Sequence, residues 1–114
     1  MRFQTIICLG YYDGLLEGYG NDDVGKSWHI KKAIESNDES YVFTLRQVDN
    51  DLLNELVRLL QVPSASKRFF LVPWGSDTTF EKHEVEDVLA RLEDSEYGEF
   101  VTATSNANLD TFVL

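Results

Sequence analysis

A chain of 114 residues that is 43% hydrophobic and 12% aromatic can bury a real core in one domain, residues 1–114, without disulfides or metal, which excludes a disordered chain. Twenty acids against ten bases give a formal net charge of −10, a surface that repels phosphate backbones and anionic bilayers, so neither nucleic acid nor membrane is an expected partner. No stretch approaches the ~20 apolar residues of a membrane span. The apolar run after Met1-Arg2 is too short for a signal peptide and is broken by Gly10, so a cytoplasmic location is expected.

Residues 3–12 are β-branched and aromatic, as in a central strand, and Asp13-Gly14 predicts a tight hairpin turn into a second strand from Leu15. Gly18 and Gly20 predict a bulge or a close backbone approach there. After a loop around Asn21-Asp22-Asp23 and Gly25, residues 26–34 alternate as a third strand, with Trp28, Ile30 and Ile34 on one face and His29, Lys31 and Ala33 on the other. A polar turn at 36–40 leads to a fourth strand in which Tyr41, Phe43 and Leu45 share a face. Asp49 or Asn50 caps a helix whose stripe is Leu52, Leu53, Leu56, Val57, Leu59 and Leu60, and Pro63 ends it. Residues 67–72 read as a fifth strand, 100–104 as a sixth and 109–114 as a last extended piece. The expected fold is α+β: an antiparallel sheet of four to six strands, opening as a meander, with two helices packed on it.

The second helix falls in residues 78–99. Thr78 and Glu81 fit a capping box, Gly98 a stop, and Phe80, Val85, Val88, Leu89 and Leu92 a buried stripe. Between Glu81 and Glu99 stand eight carboxylates against Lys82 and Arg91. Such charge ordinarily serves solubility. It also attracts a basic partner, faster at low salt than at high. Glu84, Asp87, Glu93, Asp94 and Glu96 are the candidate charges for that contact. Trp74, in a turn before the helix, and Tyr97, within the acidic tract, are the candidate anchors, because Trp and Tyr carry interface energy most often.

Catalytic and metal patterns are absent. His83-Glu84-Val85-Glu86-Asp87 resembles the zincin motif, but Asp87 stands where a second histidine is required, and no later histidine follows as third ligand. His29 lies in a strand, the setting of a half-exposed structural histidine. Cys8 sits in the apolar run Ile6-Ile7-Cys8-Leu9, the setting of an inert thiol, and as the single cysteine it excludes an internal disulfide. There is no G-x-S-x-G, and Gly18-x-Gly20 is followed by no helix that could hold phosphate. No cofactor and no metal are expected.

The opening Tyr12-Asp13-Gly14-Leu15-Leu16-Glu17-Gly18 resembles the first hairpin of small bacterial domains with a Tyr-Asp-Gly-x-x-Glu-Gly pattern. The wider profile is similar to bacterial toxin-immunity proteins: short, acidic, α+β and without catalytic equipment. The resemblance implies an inhibitor, of immunity or antitoxin type, that occludes a basic toxin enzyme such as a nuclease. A structural or regulatory subunit with an apolar interface is the alternative. A small enzyme using a cleft carboxylate or His29 is a third reading, and homodimerisation through an exposed edge strand is compatible with any of them.

Overall fold

The computed structural model describes residues 1–12, 14–33, 41–75, 80–106, 108–109 and 111–114. Asp13 of the predicted turn, Ile34, the turn at 36–40 and Thr78 of the predicted capping box lie outside them. Strands β1 (Phe3–Tyr11), β2 (Leu15–Asp22), β3 (Ser27–Lys32) and β4 (Tyr41–Gln47) form the expected antiparallel meander. Helix α1 (Asn50–Leu59) follows, capped by Asp49, whose Oδ1 accepts the Leu52 amide at 3.0 Å. Then come β5 (Phe70–Leu71), α2 (Lys82–Asp94), β6 (Tyr97–Ser105) and β7 (Phe112–Val113).

The seven strands of the described residues lie in one sheet of order β5-β1-β2-β3-β4-β6-β7. This corrects the expected antiparallel sheet of four to six strands. The sheet is mixed, because β5 runs parallel to β1. Its physical cause is the connection. Consecutive hairpins force antiparallel neighbours, whereas α1 carries the chain back across the sheet and lets β5 enter alongside β1 in the same direction. The two edge strands, β5 and β7, are each two residues long, a length that gives little template for pairing with another chain.

The sheet curls so far that its ends meet: Met1 donates to the Phe112 carbonyl at 2.9 Å, and the Phe112 amide donates to the Met1 carbonyl at 2.8 Å. Inside the curl, Phe3, Ile6, Cys8, Trp28, Ile30, Phe43, Leu45, Ala103 and Phe112 form one core. Phe112 is central to it, with its ring 4.9 Å from that of Phe3 and 5.5 Å from that of Phe43. On the outer face Ile7, Tyr19 and Val48 pack with Leu53, Leu56, Val85, Val88 and Leu92 of the helices. The alternation of β3 is as expected: Trp28 and Ile30 point in, His29 and Lys31 out. The helices leave the outer side of β3 and β4 uncovered.

Helix α2 starts at Lys82, later than the sequence pattern suggests, because Phe80 is buried in the outer core against Trp74 and Glu81 is extended at the N-cap. It ends at Asp94, where the Ser95 amide reaches the Arg91 carbonyl and Ser95 Oγ donates to the Leu92 carbonyl at 2.8 Å. The Asp49 amide donates to the same hydroxyl at 3.1 Å, tying the end of α2 to the start of α1. Gly98 is therefore no helix stop. It lies in β6 with φ 79°, where three residues of β4 (Leu45 to Gln47) are matched by five of β6 (Val101 to Tyr97). A positive φ inside a bulge is the use to which glycine is suited.

Cys8 is wholly buried and its thiol is pushed up to about 11 by that burial. Only the thiolate reacts. The native protein is expected to resist iodoacetamide at pH 8 and to be alkylated only in denaturant, with mass spectrometry after timed exposure as the measurement. Prompt labelling of the native protein would refute the buried placement. Among the described residues no helix is long and apolar enough to cross a membrane.

Candidate partner face and the histidine pocket

The outer side of β3 and β4 left open by the helices becomes a pocket where the end of α2 overhangs it. Its lining is Glu17 and Tyr19 from β2, His29 and Lys31 from β3, Thr44 and Arg46 from β4, Glu93 and Glu96 at the exit of α2, and Phe100 of β6, enclosing about 300 Å³. Strand register assembles it. Tyr19 stands opposite His29, Glu17 opposite Lys31, and His29 opposite Arg46.

His29 is the hub. Its Nε2 lies 2.8 Å from Glu17 Oε2 and its Nδ1 lies 3.0 Å from Glu96 Oε1. Tyr19 stacks on the imidazole at 4.8 Å between ring centres, tilted by 25°. The Tyr19 phenol is held protonated far above its ordinary range, by burial first and then by the negative charges of Glu96, Glu17 and Glu93. Those three carboxylates share the lining of the pocket with Lys31 and Arg46. With both ring nitrogens already engaged, His29 has none left for a substrate proton, which disfavours it as a general base. Among the described residues, no group of three or more His, Cys, Asp or Glu side chains could hold a metal ion.

The bulge at Gly98 forms the rim. Arg46 Nε donates to the Gly98 carbonyl at 3.2 Å and its guanidinium lies 4.8 Å from the Phe100 ring centre. The Tyr97 hydroxyl donates to Gln47 Oε1 at 3.2 Å. These contacts hold both rings at the surface, where Tyr97 is 53% and Phe100 65% exposed. Rigid, exposed aromatics amid carboxylates are costly to maintain unless something covers them.

The fold sorts the sequence candidates into three places. Glu93 and Glu96 line the pocket, with Asp94 exposed on the adjoining last turn of α2 and Tyr97 exposed at the start of β6. Glu84 and Asp87 lie on the flank of α2 that faces α1, sharing a groove with Arg58 and Arg91. Arg58 pairs with Glu55 at the surface, and Glu84 helps to hold its guanidinium protonated, so that flank is partly neutralised. Trp74 is at the far end of α2, half-buried, with Nε1 donating to the Leu9 carbonyl at 3.0 Å and its ring against Phe80. Thirteen helical residues, about 20 Å, separate its end of the helix from that of Tyr97.

Glu17, Tyr19, Lys31, Arg46 and Phe100 were not among the sequence candidates. The alternation of β2 and β3 carried a signal, since Trp28 and Ile30 inward require His29 and Lys31 outward. Which helix end would come to lie over them was not in that signal. Comparisons with protein-family models, with curated proteins and with solved structures each find no match to this chain.

Proposed function

We propose that this chain is a small protein-binding module that captures a basic partner, in the manner of an immunity protein occluding the cationic face of a toxin enzyme such as a nuclease. The observation that carries the reading is the bulge at Gly98, beside which Tyr97 and Phe100 are exposed in a stretch of chain that also carries Glu93, Asp94, Glu96 and Glu99. Carboxylates steer a cationic surface into register, and the two rings supply desolvated contact area once water is excluded. The face is centred on the exit of α2 rather than along its whole length.

The test is capture of partners by the tagged chain at ~50 mM and ~500 mM salt, a range over which screening changes strongly. One basic partner held at low salt and weakened at high salt is the expected result. The triple variant Glu93→Lys, Asp94→Lys, Glu99→Lys should slow association with it on the order of tenfold or more, whereas Glu84→Lys with Asp87→Lys should have a smaller effect. Equal effects of the two sets would remove the bulge from the reading.

One observation favours a second reading, an apolar subunit interface. At the first hairpin Tyr11 is 56% and Tyr12 75% exposed, beside exposed Leu16. A partner bound equally at both salts and lost in Tyr12→Ala would select it.

A further inference from the structure

We propose that the pocket beneath the exit of α2 is a socket for one arginine side chain of the basic partner. The inference rests on the partner-face reading for the source of that side chain, and names the contact at its centre.

The lining holds more acceptors than the protein itself uses. His29 takes one oxygen of Glu17 at 2.8 Å and one of Glu96 at 3.0 Å, which leaves the second oxygen of each carboxylate to another donor. Glu93 enters no ion pair among the described residues. An ionised carboxylate only accepts hydrogen bonds, so the group that completes this lining is a donor.

Tyr19 is a second and independent sign. The residue is 4% exposed, and among the described residues nothing hydrogen-bonds its hydroxyl. The wholly buried side-chain polar atom left without a partner there is Asn21 Oδ1, so the phenol oxygen keeps an open side, and Tyr19 opens on the pocket. A tyrosine this buried ordinarily finds a partner for its hydroxyl inside the fold. Burial and three carboxylates keep the phenol protonated, with oxygen lone pairs to offer a guest.

The donor that fits is a guanidinium. It is planar and carries five N–H groups in a fixed fork, whereas an ammonium is a compact, strongly hydrated charge. Glu17 and Tyr19 come from β2, Glu93 and Glu96 from α2 and its exit, so several acceptors surround one space of about 300 Å³. Phe100, largely exposed on the lining, gives the aliphatic stem an apolar wall. Two cations oppose the guest. Arg46 is held by the Gly98 carbonyl and the Phe100 ring. Lys31 stands opposite Glu17 and makes no ion pair among the described residues, so it competes for the same carboxylates. Its removal strengthens capture of a bare guanidinium and weakens capture of a guest that also carries a carboxylate.

The experiment titrates the full chain with N-acetyl-arginine amide and follows the backbone amide ¹H–¹⁵N signals. Saturable shifts at Tyr19, His29, Arg46 and Phe100 are expected, with a Kd on the order of 1 mM for a lone side chain. The lysine counterpart should bind more weakly and the uncharged citrulline counterpart should not saturate. Tyr19→Phe loses a hydroxyl that has no partner inside the fold. It should therefore melt with the wild type yet bind the arginine probe about tenfold more weakly. Glu93→Gln should weaken the probe by a similar factor, and Lys31→Gln should tighten it about threefold. Equal binding of the lysine probe, shifts centred on the α1–α2 groove, or unchanged binding in both Tyr19→Phe and Glu93→Gln would each overturn the socket. A melting temperature that falls together with binding would make the Tyr19 hydroxyl structural and leave Glu93→Gln to decide. Free arginine binding more tightly than the capped probe, with loss in Lys31→Gln, would overturn the protein source and assign the pocket to a small zwitterion. If the probe does not bind while a salt-sensitive partner is captured, the socket fails alone. If the probe binds as expected and no partner is captured, the partner reading fails and the pocket stands as a guanidinium site.

Discussion

Gly18→Ala is expected to destabilise the protein by about 3 kcal/mol or more, at or above the upper end of what overpacking ordinarily costs. A Cβ at Gly18 would lie 2.3 Å from the Ile7 carbonyl oxygen and 3.3 Å from the Cys8 Cα. Both obstacles are backbone of β1, so neither can rotate aside, and separating them means parting β1 from β2 in the middle of their ladder. Gly20 repeats the constraint, since a Cβ there would meet the Thr5 carbonyl oxygen at 2.7 Å and the Phe3 ring at 2.8 Å. These two glycines let the strands approach closely enough for the sheet to curl and for Met1 to reach Phe112. In thermal denaturation the variant should lose about 10–20 °C or fail to fold. Gly75→Ala, where a Cβ meets nothing within 4 Å, is the matched control and should shift little. Coincident melting curves for Gly18→Ala and wild type would contradict the close approach. The site is also at stake, because Gly18 lies between Glu17 and Tyr19 and any outward shift of β2 displaces both from His29.

Replacing Asp22 by alanine should cost on the order of 3–4 kcal/mol, from three donors losing one acceptor group. The carboxylate is 2% exposed. Its Oδ1 accepts the amides of Val24 at 3.1 Å and Lys26 at 2.8 Å, and its Oδ2 accepts the Trp28 indole at 2.9 Å. One side chain thus closes the β2–β3 turn and satisfies the polar edge of a ring in the inner core. Asp22→Asn retains one acceptor oxygen and should lose about half as much. Urea titration followed by tryptophan fluorescence reads both stability and the surroundings of Trp28. An alanine variant no less stable than the asparagine variant would show that the turn does not depend on the carboxylate. Because β3 carries His29, loosening this turn should also disturb its contacts with Glu17 and Glu96.

Local signals were legible in the sequence wherever a residue's role depends on its neighbours in the chain. The alternation of Trp28, His29, Ile30 and Lys31, the Asp49 cap, the stripe of α1 and the stop before Pro63 all appear as read. So does the crowding at Gly18 and Gly20. The parallel entry of β5 was not legible, because a two-residue strand has too short a pattern and its direction is set by the helix that delivers it. Nor was the start of α2, where burial of Phe80 overrides the local preference for an earlier turn. The acidic tract shows the same division. Its composition is visible at once, yet one helix and its exit distribute Glu84 and Asp87 to the α1 flank and Glu93 and Glu96 to the pocket on the sheet.

By itself the sequence determined the charge of this protein, the α+β alternation of its elements and the faces its side chains take along each strand and helix. These are short-range properties, fixed by periodicity, caps and turn residues. The tertiary structure alone decided that Glu17 and Glu96, far apart in the chain, would meet on the two nitrogens of His29. It also decided that a bulge at Gly98 would hold Tyr97 and Phe100 outward beside them. The reason is that strand register and the crossing of α2 depend on how the whole core packs, and no local pattern encodes which distant surface a helix end will come to rest on.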